Sequence, residues 1–310
     1  MPDTSFTVTP DFFQDLDIPL AVDAPLGALT WYRTGGHAAV LASPSNVAQL
    51  SELTARCREQ HVPMKILGAG ANLLVRDGGV DAVVVRLDAP GFKQIAIDEK
   101  AATITAGAGV DLFKLVPASA RAGLDGLVHV AGIPATVGGA VRMNAGGAFG
   151  DIGESVKRVQ VMSDAGQVYY RDRDDLDFGY RHTNIAAPFI LEAEFELTPD
   201  DPEALMKRYK EIYLFKKNSQ PMGDKSAGCC FKNPPPPPEG LGLAAGQLID
   251  QAGLKGFSVG GASVSELHAN FVVAEPGKTT SADLLAVIEH VEQTVAQKHG
   301  IELEREVVVW

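Results

Sequence analysis

Gly132-Ile133-Pro134-Ala135-Thr136-Val137-Gly138-Gly139-Ala140-Val141-Arg142-Met143-Asn144-Ala145-Gly146-Gly147 is the stretch on which the reading of this chain turns. Five of its sixteen residues are glycine, and small residues fill much of the rest. A phosphate lying against a backbone needs N–H groups with no Cβ in the way, and glycine-rich turns after strands supply them. Two shorter turns of this kind precede it. Gly68-Ala69-Gly70-Ala71-Asn72 follows the apolar run Met64–Leu67, and Gly107-Ala108-Gly109 follows Thr103–Ala106. The first lacks the third glycine of the dinucleotide fingerprint at its spacing. One such cluster alone is more often a tight turn or a close helix contact. Three together, with Asn72, Thr136 and Asn144 as further hydrogen-bond partners, point to a large pyrophosphate-bearing cofactor contacted from two domains.

The surrounding chain is that of a globular protein. It has 310 residues, 45% hydrophobic and 21% charged, which excludes general disorder and a disulfide-stapled mini-fold. Lys plus Arg number 27 against 39 Asp plus Glu, a formal charge of −12. Such a chain has no global field for nucleic acid or anionic lipid, so neither partner is expected. A phosphate-bearing partner must be held by local donors. The start, MPDTSFTVTPDFF, has no basic stretch followed by an apolar core. No run of about 18 apolar residues occurs either, and a cytoplasmic protein is expected. Cys57, Cys229 and Cys230 make an odd count with no metal-ligand spacing, so reduced thiols and no metal are expected.

Helix and strand patterns are mixed throughout, an α+β class. Asn46 caps a helix to about His61, with Gln49 placed for a capping box. Met64–Leu67, Ala82–Leu87 and Thr103–Ala106 read as strands, and Asp111–Arg121 as a helix. Val156–Met162 and Gln167–Arg171 form a hairpin around Asp164-Ala165-Gly166, and Phe189–Leu197 is a further strand. Helices are predicted over Glu203–Lys217, Gly246–Gly253 and Ser281–His299, the last ending at Gly300. Ile301–Trp310 alternates and reads as a terminal strand. The run Pro234–Pro238 excludes helix and central strand and predicts an extended exposed loop.

Three groups carry candidate chemistry. Phe178-Gly179-Tyr180-Arg181 offers an arginine that is either a surface charge or a bidentate clamp for carboxylate or phosphate. Ser226-Ala227-Gly228-Cys229-Cys230-Phe231-Lys232-Asn233 combines small residues with thiols. Cys229 is either a space-filling thiol or a proton donor, the latter a milder demand than nucleophilic attack because no base is identified beside it. Glu302, Glu304 and Glu306 would share one face of a strand, most simply a solvated one. The lysines and arginine of 203–217 form either a solvated face or a local anion site.

Taken in order, several blocks resemble one family: Trp31–Ala38, Leu67–Leu74, Gly132–Gly146, Phe178–Arg181, Ser226–Pro234, Ala245–Gly256 and Leu303–Val307. The chain is similar to the UDP-N-acetylenolpyruvoylglucosamine reductases of peptidoglycan precursor synthesis over nearly its whole length, and to their shorter subtype. The resemblance implies a two-domain FAD-binding module of the vanillyl-alcohol-oxidase-like type (residues 1–88 and 89–217). It also implies a C-terminal α+β substrate-binding domain (218–310) whose last strand returns to the active site. It implies that NADPH reduces a bound FAD, and that UDP-N-acetylglucosamine enolpyruvate is then reduced to UDP-N-acetylmuramate by hydride addition at C3 and protonation at C2. A small-molecule UDP-sugar is thus the expected partner, and a monomer the expected state.

The resemblance also assigns residues. Gly68, Ala69, Gly70, Ala71, Asn72, Leu73, Gly132, Ile133, Pro134, Thr136, Gly138, Gly139, Ala140 and Asn144 match cofactor-binding positions. Tyr180, Lys217 and Asn233 match positions that hold the UDP-sugar. Arg181 matches the arginine that opposes developing negative charge, Glu306 a glutamate acting at the same intermediate, and Cys229 a proton donor that is commonly serine. A carboxylate facing an enolate repels it, so Glu306 is expected to be protonated or compensated by Arg181. Ala135 stands for a usual glycine, Thr183 for a serine, and the proline run is an insertion. Two other readings differ: an oxidase tethering FAD through His37, and a non-catalytic nucleotide sensor, which the presence of both Arg181 and Glu306 disfavours.

Overall fold

The computed structural model describes residues 10–13, 15–236 and 242–310. The start of the chain and the last two residues of the Pro234–Pro238 run lie outside the described residues. By internal contacts the chain divides into two compact units. The first comprises residues 1–24, 38–69 and 81–215, and the second residues 25–37, 70–80 and 216–310.

Two sheets build the first unit. β1 (Leu20–Pro25), β2 (His37–Ala42), β3 (Met64–Ile66) and β4 (Val80–Val85) form one in the order β1-β2-β4-β3. Its β3–β4 pair is parallel, with Met64 opposite Val83. α1 (Val47–Glu59) lies between β2 and β3 and buries Leu50, Leu53, Thr54 and Cys57. Asn46 accepts the Gln49 N–H at 3.0 Å as the cap, but Gln49 Oε1 takes the Ser45 N–H at 2.7 Å instead of closing the box on Asn46.

β5 (Ile95–Asp98), β6 (Thr103–Gly107), α2 (Leu112–Arg121), α3 (Val137–Arg142), β7 (Val156–Met162), β8 (Val168–Asp172) and β9 (Phe189–Glu196) follow. The strands make an antiparallel sheet in the order β8-β7-β9-β6-β5. Alternation in β9 buries Phe189, Leu191, Ala193 and Phe195. Ile104, Leu115, Val137, Val159, Ala193 and Phe195 belong to one core, and Val40, Leu50, Val83, Phe92 and Phe189 to a second. α4 (Pro202–Ser219) closes the unit and runs into the next.

The second unit holds β10 (Lys225–Ser226), α5 (Ala245–Gln251), β11 (Ser258–Val259), β12 (Ala262–Val264), β13 (Val272–Ala274) and α6 (Ser281–His299). Its sheet runs β10-β13-β12-β11, all antiparallel. α6 buries Leu284, Ile288, Val291 and Val295, and ends on Gly300 at φ +68°. Thr280 and Asp283 close a capping box at its start, where the Asp77 carboxylate also accepts the Ser281 N–H at 3.0 Å.

Residues 70–80 join this unit through the C-terminus. Leu73–Leu74 pairs in parallel with Val308–Val309, and Arg76 donates its N–H to the Trp310 carbonyl at 2.9 Å. The predicted strand over Ile301–Trp310 is correspondingly shorter. Only Val308–Val309 is regular, because the chain changes partner midway. Lys232 N–H bonds Glu304 O, then Glu306 and Val307 both donate to Cys230 O, and pairing passes to Leu73–Leu74. Glu302 and Glu304 face solvent, whereas Glu306 is half-buried.

Candidate active site

Each unit carries its own share of the residues singled out above. The first holds a cavity of about 470 Å³, within the range of cofactor sites. Gly68, Ala69, Thr136, Gly138 and Gly139 line it. A Cβ on Gly138 would lie 2.9 Å from the Ala108 methyl, so the wall requires glycine there. Arg86, Lys93, Lys114 and Arg142 stand on the cavity against Asp88 and Asp111, a local cationic excess in an acidic chain. Arg86 pairs with Asp88 at 3.1 Å. Arg142 donates to the carbonyls of Ile185, Ala187 and Pro188, which fixes the loop before β9; burial lowers its pKa. A room of this size with glycine walls and a positive balance fits a phosphate-bearing cofactor.

The glycine stretch contributes less as a donor set than the sequence suggests. Val137 N–H bonds Val110 O at 2.8 Å and Gly138 N–H bonds Ala108 O at 2.9 Å. Gly139 N–H reaches Thr136 Oγ1 at 3.4 Å. The start of α3 is thus satisfied within the protein, and what it offers the cavity is space and a fixed hydroxyl. Gly132, Ile133, Pro134 and Ala140 flank this wall without lining the cavity. Gly70, Ala71, Asn72 and Leu73 belong to the second unit.

Asn144 is 3% exposed and its amide is used on protein groups. Oδ1 accepts the Gly153 N–H at 3.0 Å, and Nδ2 donates to Gly179 O at 2.9 Å. It thereby braces the small hairpin in which Phe178–Gly179 pairs with His182–Thr183 and Tyr180 and Arg181 form the turn. Both Asn144 (φ +43°) and Arg181 (φ +54°) are left-handed, a conformation of local strain for residues with a Cβ. Arg181 Nη2 donates to Gly146 O at 2.9 Å, Nη1 lies 3.6 Å from Asp151 Oδ1, and the guanidinium sits 4.9 Å from the Tyr180 ring centroid. Three contacts from three segments fix the cation in place.

The second unit brings Cys229 and Glu306 onto paired segments. Glu306 donates its N–H to Cys230 O at 2.8 Å, Phe231 bridges Arg305, and Asn72 Nδ2 donates to Glu306 O at 3.1 Å. Gly228 enters Cys229 at φ +74°. Cys229 is half-buried and Cys230 fully buried. Burial pushes the Cys230 thiol up to about 11, and its Sγ lies 3.8 Å from Tyr32 Oη. Tyr32 is raised well above its ordinary value, first by burial and then by that thiol. The two cysteines therefore differ in kind: Cys230 is core, and Cys229 is the accessible thiol.

Asn233 Oδ1 accepts the Ala245 N–H at 3.0 Å, so α5 orients this side chain. Lys217 is exposed at the end of α4, whereas its neighbour Lys216 is 6% exposed. Tyr180 is 48% exposed. His37 is exposed at the start of β2. Among the described residues no group of three potential metal ligands gathers, and no helix is long and apolar enough to cross a membrane. Asp151 beside Arg181, and Asn270 beside Cys230, are additions the sequence reading did not contain. For Asn270 a signal was present: a lone amide in the run Ala269–Ala274.

Comparison with known proteins bears on both units. Residues 38–170 match the model of an FAD binding domain. A cholesterol oxidase from B. sterolicum shares this fold, with a TM-score of 0.50 and 20% identity over 62% of this chain and 40% of that one. The class is therefore a protein built on an FAD-binding α+β module followed by a C-terminal domain.

Residues 220–310 match the C-terminal domain model of UDP-N-acetylenolpyruvoylglucosamine reductase. Proteins of that name from Heliobacterium modesticaldum (41% identity, 92% of this chain, 88% of that protein) and Caulobacter vibrioides (40%, 93% of each) are similar throughout. The crystal structure of the reductase from Thermus caldophilus superposes with a TM-score of 0.77 at 35% identity, covering 94% of this chain and 98% of that one. The chain belongs to the UDP-N-acetylenolpyruvoylglucosamine reductase family.

Proposed function

We propose that this protein reduces UDP-N-acetylglucosamine enolpyruvate to UDP-N-acetylmuramate at the expense of NADPH, with Arg181, Cys229 and Glu306 acting on the enolpyruvyl group. The observation that carries the reading is the pairing of the Cys229 and Glu306 segments, which sets a thiol and a carboxylate on adjoining, hydrogen-bonded stretches of chain. In this reading residues 1–88 and 89–217 are the two halves of the FAD module, and 218–310 is the substrate domain.

Gly68, Ala69, Thr136, Gly138 and Gly139 would hold FAD, with the cationic lining opposing its diphosphate. Bound there, FAD supplies a carrier of two electrons from NADPH to the enolpyruvyl double bond. Arg181 opposes the negative charge that develops towards the carboxylate as C3 is reduced. Because its guanidinium is already fixed, little reorganisation is needed when that charge appears. Cys229 gives its S–H proton to C2, and the thiolate regains a proton from solvent between turnovers. Glu306, half-buried on the segment that bonds Cys230 O, acts at the same carbon as a second proton carrier. Tyr180, Lys217 and Asn233 hold the UDP-sugar, the lysine against the diphosphate.

An anaerobic absorption spectrum tests this. The purified protein should be yellow, bleach on NADPH and recover on adding the enolpyruvyl substrate. A protein that takes up no FAD, or a bleached protein that recovers with oxygen but not with the substrate, overturns the reading.

A further inference from the structure

The segment that carries Cys229 is held from both sides, and one of the two sides is a single asparagine. Asn270 is 4% exposed. Its carbonyl accepts the Cys230 N–H at 2.8 Å, its Oδ1 accepts the Phe231 N–H at 3.0 Å, and its Nδ2 donates to Phe231 O at 2.8 Å. The side chain thus pairs both the donor and the acceptor of one residue, as a neighbouring strand would. A true strand does not reach this point, because β13 begins only at Val272. On the opposite side, Lys232 bonds Glu304 and Cys230 O accepts from Glu306 and Val307.

We propose that Asn270 is a positioning residue for proton donation, setting the aim of Cys229 and its spacing from Glu306. This rests on the reading of Cys229 as the donor. On its N-terminal side Cys229 follows Gly228 in a left-handed conformation, and the last strand pairing before it is Ser226 with Val273. On its C-terminal side Cys229 leads directly into Cys230 and Phe231, the two residues Asn270 clamps. The same Cys230 carbonyl receives Glu306, so one clamp registers both proton-handling side chains. An aliphatic replacement would leave the Phe231 N–H and C=O unpaired in a residue that is 1% exposed.

The two half-reactions of the FAD-loaded enzyme and the reactivity of Cys229 test it together. In Asn270→Leu, reduction by NADPH should stay within about twofold of the parent while reoxidation by the enolpyruvyl substrate slows about 100-fold, the scale of a misplaced reacting group. Asn270→Asp is the second variant and the milder one. Its carboxylate keeps the acceptor for Phe231 N–H but opposes Phe231 O; once protonated it donates to that oxygen. Reoxidation in this variant should therefore quicken as the pH falls, a limb absent from the parent. Iodoacetamide labelling gives a readout apart from turnover, since Cys57 and Cys230 are buried and Cys229 is labelled first. Labelling of Cys229 should accelerate severalfold in both variants.

Equal slowing of both half-reactions in a variant that keeps its FAD, unchanged reoxidation, or unchanged labelling overturns the positioning role. Failure of the donor reading looks different. There the substrate does not reoxidise the parent, or Cys229→Ala reoxidises normally, while labelling still reports whether Asn270 holds the thiol.

Discussion

The Arg181 corner of the first unit and the Cys229–Glu306 corner of the second are built by opposite means. Arg181 sits in a strained turn, φ +54°, supported by a second strained residue, Asn144 at φ +43°. Its charge is bracketed by Gly146 O, Asp151 and Tyr180. Around Cys229 the only left-handed residue is a glycine, and the order comes from backbone pairing relayed by Asn270 and Asn72. In the proposed reaction the difference follows from the tasks. A cation that opposes developing charge must be in place beforehand, and strain held by surrounding bonds achieves this. A proton donor needs direction and a short reach, which hydrogen-bonded segments provide at lower cost.

Substitution of the two corners breaks this comparison most directly. Arg181→Ala should slow substrate-driven reoxidation about 1000-fold, the upper range for loss of a fixed electrostatic group, with NADPH reduction little changed. Cys229→Ala should slow the same step about 100-fold, the lower range for loss of a general acid. Rapid-mixing absorbance of the two half-reactions measures both. A larger loss in Cys229→Ala than in Arg181→Ala would place the main barrier at proton donation and reverse the contrast. Cys229→Ser should recover much of the alanine loss, because a hydroxyl still donates; failure to recover would show that acidity, and not direction alone, matters at that position.

Asn144 sharpens the contrast at an intermediate scale. Asn144→Ala removes the bonds to Gly153 N–H and Gly179 O and leaves a Cβ at positive φ. It should destabilise the first unit by about 2 kcal/mol, the cost of unsatisfied buried groups, and weaken the Arg181 step. Asn144→Gly relieves the backbone strain but loses the same bonds. If urea midpoints show the two variants equally stable, the left-handed backbone at Asn144 stores no strain, and the corner is held by bonds alone.

Most of the fold was legible because it rests on local signals. Asn46 and Asp111 cap helices where capping residues precede apolar periodicity, and Gly300 ends α6 in the left-handed form, whereas α3 behind its Thr136 cap was hidden by its glycines. Long-range partners were not legible. The alternation of Ile301–Trp310 is genuine, but no local rule says that pairing passes from Cys230 to Leu73, so a continuous strand was expected where two short pairings occur. The same limit hid the division of the 68–73 loop, since Leu74 joins the second unit's core with Phe231 and Val307. Within the site, residue types with unusual chemistry stood out, whereas the amides that hold them did not. An asparagine reads the same whether it meets a ligand or, like Asn144 and Asn270, replaces a missing strand.

The smallest expected effect separates the two units by alkaline stability. Cys57, in α1 of the first unit, is pushed by burial from an ordinary 9.0 up to about 12, and Cys230, in the second, to about 11. A thiol ionises near 9.0 when unfolded, so between that pH and its folded value the native state binds more protons than the unfolded one. Stability is therefore unaffected by these groups below pH 9.0 and falls as the pH rises above it. The urea midpoint should drop between pH ~8 and pH ~10.5 in the parent, and drop less in Cys57→Ala, whatever that variant loses at pH ~8 through its small cavity. In the second unit Tyr32 faces the Cys230 thiol and is itself raised, so removing Cys230 alone should leave part of the alkaline fall in place. Equal drops in the parent and Cys57→Ala would mean that the first unit accommodates a thiolate inside α1. The contrast between a core thiol and an accessible one would then have to rest on Cys229 and Cys230 alone.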